Sequence, residues 1–152
     1  INQYYEDNFI VFDLLNAANK IIITNKLFYH YRQNDNSTTK RFSPKKYIDD
    51  MKAIKHNIEI IQKNYLNFVK LAKQEKILCY FKWMDIIIFS NDSNIKYKSF
   101  FQKQIKKHFM CMLFANNINI KIKIALILMI LNVNIYKKLR KTQKNISKSI
   151  LQ

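Results

Sequence analysis

The sequence predicts a mostly α fold with a short β and loop segment near its N-terminal end. Three observations carry this expectation. Apolar residues recur at three- and four-residue spacing over most of the chain. There is no glycine and a single proline, Pro44, so little interrupts a helix. Ahead of Pro44 stand two β-prone runs, Ile21-Ile22-Ile23 and Leu27-Phe28-Tyr29-His30-Tyr31. The 152 residues suffice to bury a core of useful size.

The first helix is expected over FIVFDLLNAANK, with Glu6-Asp7 in its first turn, where acidic side chains favour a helix N-terminus. Phe9, Ile10, Leu14, Leu15, Ala17 and Ala18 suit one face of it. On a strand after it, His30 and Arg32 would face one side and Tyr29 and Tyr31 the other. The polar run from Gln33 to Thr39 reads as a loop. Ser43-Pro44 then starts a helix, serine as N-cap and proline at the first helical position. Tyr47, Ile48, Met51, Ile54, Ile58 and Ile61 give that helix an apolar face over about five turns. A second, more apolar helix is expected from Leu66 to Phe89 and is the candidate centre of the bundle. Asn91-Asp92-Ser93-Asn94 ends it. A third helix is expected from Tyr97 to Phe114, and a fourth from Ile120 through the run IALILMIL. The tail from Tyr136 is basic and at best amphipathic. The chain so divides into residues 1–42, with the clustered chemistry, and residues 43–152, a basic region of four or five helices.

Isoleucine, asparagine and lysine make up 67 of the residues, a mixture that an AT-rich coding sequence would give. The net charge of +17 has to be weighed against that bias. Its placement is uneven: residues 1–36 carry three basic and four acidic side chains, whereas residues 93–152 carry thirteen basic ones and no carboxylate. Codon bias accounts for many lysines and less well for the loss of every acid over that stretch. Without glycine, neither a P-loop nor a dinucleotide-binding fingerprint can exist. Cys79 and Cys111 are lone thiols without ligand spacing, expected to be reduced and at least partly buried in a cytosolic protein.

Two small clusters could carry chemistry. Glu6-Asp7 at a loop-to-helix junction could supply a general base, although solvated acids at a helix start are commoner. Arg32 and Ser37 could hold a phosphate, the guanidinium through its fork and the serine through its hydroxyl, although an arginine there also suits a surface ion pair.

In their order and spacing these segments resemble the C-terminal half of the catalytic domain of family 2 glycosyltransferases of the GT-A fold. Members involved in capsule, lipopolysaccharide and teichoic-acid synthesis carry a Tyr-Glu-Asp-x-x-Phe motif. About twenty residues later comes a Leu-Tyr-x-Tyr-Arg run, and then Ser-Ile-Thr. Here these read Tyr5-Glu6-Asp7, Phe9, Leu27-Phe28-Tyr29-His30-Tyr31-Arg32 and Ser37-Thr38-Thr39. The resemblance covers residues 4–39 and is looser over the helices. It implies an inverting transfer of a sugar from a nucleotide-sugar to a glycan or lipid-linked acceptor. Asp7 would deprotonate the acceptor hydroxyl and Glu6 would shape the acceptor site. Arg32 and Ser37 would lie over the donor diphosphate, and His30 could either face the same pocket or serve ordinary packing.

The family's Asp-x-Asp motif, which holds Mg²⁺ or Mn²⁺ on the diphosphate, occurs nowhere in this sequence. With the start at Ile1, this leads to the expectation of a C-terminal piece that lacks the nucleotide-binding half and is inactive alone. The β segment would then be a remnant of the GT-A domain, with a flank left exposed. The basic half suits peripheral docking on the inner face of the plasma membrane, where lysines meet anionic lipid. It equally suits a solvated helical tail packed on its own domain. A non-catalytic module binding anionic membranes or other polyanions is the alternative to an enzyme part. Nucleic acid is not an expected partner, since no RNP-type, helix-turn-helix or zinc pattern appears.

Overall fold

The computed structural model describes residues 3–29, 41–90 and 95–150, the last eight of these by backbone alone. Among the described residues it is mostly helical. Six helices follow one another: α1 Glu6–Ala17, α2 Pro44–Asn64, α3 Val69–Phe89, α4 Ile95–Leu113, α5 Ile120–Leu131 and α6 Val133–Ile150. A single 3₁₀ turn, Leu66–Phe68, leads into α3. The expected breaker Asn91-Asp92-Ser93-Asn94 lies outside the described residues.

The expected β segment is corrected. Residues 18–29 form neither strand nor helix, and the described residues contain no strand. Ile23 and Leu27 are 91% and 88% exposed. The physical reason is that β-propensity reflects fit to a pleated, half-buried surface with a neighbouring strand, and none of the described residues provides one. Locally, the Lys26 amide donates to the Thr24 hydroxyl at 3.2 Å, a turn-like bond that competes with a ladder. His30 and Tyr31 lie outside the described residues.

The chain forms two compact units, Ile1–Cys79 and Tyr80–Gln152. In the first, α1 lies along α2. The most buried positions of α2 are Lys46, Asp49, Asp50, Ala53, Asn57 and Ile61. These recur every three to four residues and so form one stripe, but it is mainly polar. The apolar line expected from Tyr47 to Ile58 runs one residue further on and is only half-buried or exposed. Ala53, wholly buried, sits mid-stripe with no bulk to hold a neighbour away.

The second unit has an aromatic and aliphatic core. Trp83, Met84 and Phe101 are inaccessible to solvent, and Ile105, Met112, Leu126 and Met129 nearly so. Tyr80 stands edge-on to Phe100, with ring centroids 6.0 Å apart, and Phe81 meets Tyr136 in the same manner at 6.2 Å. The Tyr136 hydroxyl donates to Asp85 at 2.5 Å, and Arg140 approaches the same carboxylate at 3.7 Å. These contacts tie α6 to the end of α3. Burial and the Asp85 charge push the Tyr136 phenol well above its usual range. Of the two thiols, Cys79 is buried as expected, whereas Cys111 is exposed. Among the described residues no helix is long and apolar enough to cross a membrane.

Candidate functional site

The candidate site is the start of α1. Tyr5 takes the N-cap position with φ 60° and ψ 36°, the left-handed region that non-glycine residues rarely occupy. Its side chain makes no capping bond. The chain therefore enters α1 through a sharp, sterically costly turn that its surroundings must hold.

The buried polar stripe of α2 does the holding. Asp49 Oδ2 accepts the Tyr4 amide at 3.2 Å, on one side of Glu6-Asp7. On the other side, Asn57 Nδ2 donates to the Asn8 carbonyl at 2.9 Å. Lys45 and Lys46 place their ammonium groups 5.1 and 5.5 Å from the centre of the Tyr4 ring. Lys46 also donates to the Arg41 carbonyl at 3.2 Å. Burial, and then the Arg41 charge, lower its pKa. Further along, Phe9 stacks on His56 with centroids 4.3 Å apart, and His56 Nε2 lies 2.7 Å from Asp13 Oδ2.

Beneath this turn, Asp50 is 2% exposed and accepts a hydrogen bond from the Cys79 thiol at 3.4 Å. The Tyr5 phenol is pushed up to about 12, first by burial and then by the charges of Asp50, Cys79 and Asp7. Its ring thus stays neutral over the whole physiological range.

Glu6 and Asp7 are both exposed on the first turn of α1. Asp7 Oδ1 accepts the Asn8 amide at 2.8 Å, which fixes the carboxyl against its own helix. The turn presents the Asp7 carboxylate to solvent. Arg32, Ser37 and His30, the residues expected over a diphosphate, lie outside the described residues.

Sequence reasoning missed Asp49, Asp50 and Asn57. All belong to one α2 register, KxxDDxxAxxxN, and a polar line at helical spacing was the available sign. For a divalent metal, the described residues contain no group of three or more His, Cys, Asp or Glu side chains able to hold one. No family model, curated protein or solved structure matches the chain.

Proposed function

We propose that this chain is the acceptor-side, C-terminal portion of an inverting family 2 glycosyltransferase, with Asp7 as the base that takes the proton of the acceptor hydroxyl. The observation that carries this reading is the built turn at Tyr5. The Tyr-Glu-Asp motif sits on a left-handed N-cap pinned from both sides by α2, with Asp7 facing solvent. Glu6, beside it, shapes the acceptor site. Arg32 and Ser37, with His30, would compensate charge on the departing nucleoside diphosphate. The uncovered apolar residues of α1 and of 18–29, among them Leu14, Ile22 and Phe28, fit a surface against which a nucleotide-binding half would pack. The donor is a nucleotide-sugar and the acceptor a glycan or lipid-linked sugar, used on the cytoplasmic side of the membrane.

Two measurements test the proposal. These 152 residues contain no Asp-x-Asp, so calorimetric titration with a UDP-sugar should show no micromolar binding. In a longer chain carrying the nucleotide-binding half, Asp7→Asn should lower transfer by about 10²–10⁴-fold, the usual contribution of a general base, with donor affinity unchanged. Micromolar donor binding by this chain, or retained turnover in the variant, defeats the assignment.

A further inference from the structure

From Ile124 to Leu131 α5 is apolar on every side, yet only one side is covered. Leu126 and Met129 face the core, whereas Ile120, Ile124 and Leu131 stand 65%, 50% and 76% exposed. Those three positions are spaced by four and seven residues and form one ridge along the helix. Lys121 and Lys123 flank the ridge at its start. A helix apolar all round belongs in a protein core or in lipid. At 12 residues α5 is about 18 Å long, well short of the ~30 Å hydrocarbon layer, so it cannot span.

α6 follows after Asn132 and packs on α5. It keeps Tyr136 inward and exposes Ile135 and Leu139, one turn apart, while Lys137, Lys138 and Lys141 are exposed around the rest of the same helix. Among the described residues of this unit the only acid is Asp85, already engaged by Tyr136 and Arg140, and residues 93–152 contain none. Among the described residues of this unit the lysines therefore have no further carboxylate to pair with, and the same two helices carry uncovered isoleucine and leucine.

We infer that the α5–α6 surface docks on an anionic phospholipid bilayer, with the Ile120-Ile124-Leu131 ridge bedded at the acyl boundary and the α6 lysines on the headgroups. Charge complementarity selects an anionic partner. The apolar ridge selects lipid over nucleic acid, whose phosphate backbone offers nothing for isoleucine to bury against. The inference is independent of Asp7: vesicle binding and sugar transfer can each succeed or fail without the other.

The test is co-sedimentation of the whole chain with vesicles of phosphatidylcholine, with or without one quarter phosphatidylglycerol, across a salt series. Binding should require the anionic lipid and weaken with salt. Lys137→Gln/Lys138→Gln/Lys141→Gln should lower partitioning about a hundred-fold, at roughly five-fold per lysine. Ile124→Ser/Leu131→Ser should lower it at least ten-fold and leave binding to a short DNA duplex unchanged. Circular dichroism monitors the helices of each variant. Leu131→Trp, in an otherwise unaltered chain, should shift its emission to the blue on adding anionic vesicles. Equal binding to neutral vesicles, no binding to anionic ones, indifference to the Ile124/Leu131 change, or an unshifted Trp emission would each overturn the inference. So would a duplex bound more tightly than the vesicles.

Discussion

Asp49 fixes a stretch of backbone that lies 45 residues away in the chain. It accepts the Tyr4 amide and meets Lys45 at 3.2 Å and Lys52 at 4.0 Å. The Tyr4 bond, ahead of the Lys45 hydrogen bond and the two lysine charges, holds its pKa below the usual 3.8, against a smaller opposing effect of burial. A lowered folded value favours the ionised form. Its stabilisation is therefore complete above the ordinary carboxylate value and is lost as pH falls through the depressed one. Melting temperatures followed from pH 6 down to pH 2 should drop in the parent chain. Asp49→Asn should melt lower at pH 6 and show a flatter acid limb. An identical acid limb in the two proteins would show that Asp49 is not the group being protonated.

Two helix starts illustrate what a cap does at the scale of an element. Ser43 precedes α2 with extended backbone but makes no side-chain capping bond, so proline at the first position carries that start. Asn132 separates α5 from α6, and its Oδ1 accepts the amides of Asn134 at 2.9 Å and Ile135 at 3.2 Å. Thermal melts should therefore show Asn132→Ala costing about 1 kcal/mol and Ser43→Ala only a few tenths. The bounds of α2, α4 and α5 were legible in the sequence because proline and apolar spacing mark them. α6 was less so: Asn132 is one of 18 asparagines, and nothing in the string sets a capping asparagine apart from the rest. The β expectation failed because Ile21-Ile22-Ile23 records a preference, not a partner. Of the site, Glu6-Asp7 was legible as a motif. Its support was not, because Asn57 reaches Asn8 across 49 residues, along a polar line that a search for apolar periodicity passes over.

At the scale of the whole molecule, each unit leaves apolar side chains uncovered, Ile22, Leu27 and Phe28 in the first and Leu131 in the second. A net charge of +17 opposes self-association of such surfaces until salt screens it. Sedimentation velocity should accordingly show association growing with ionic strength. Ile22→Ser/Leu27→Ser/Phe28→Ser should suppress it, with helical circular dichroism unchanged, since residues 18–29 contribute no helix. The polar grip of α2 on α1 has a corresponding effect on how the first unit comes apart. No side chain of α1 is fully buried, so releasing it wets less hydrocarbon than opening the aromatic core of the second unit would. The sensitivity of an opening step to urea scales with the area it exposes. Detachment of the N-terminal helix should therefore depend less steeply on denaturant than unfolding of the second unit, while remaining responsive to acid.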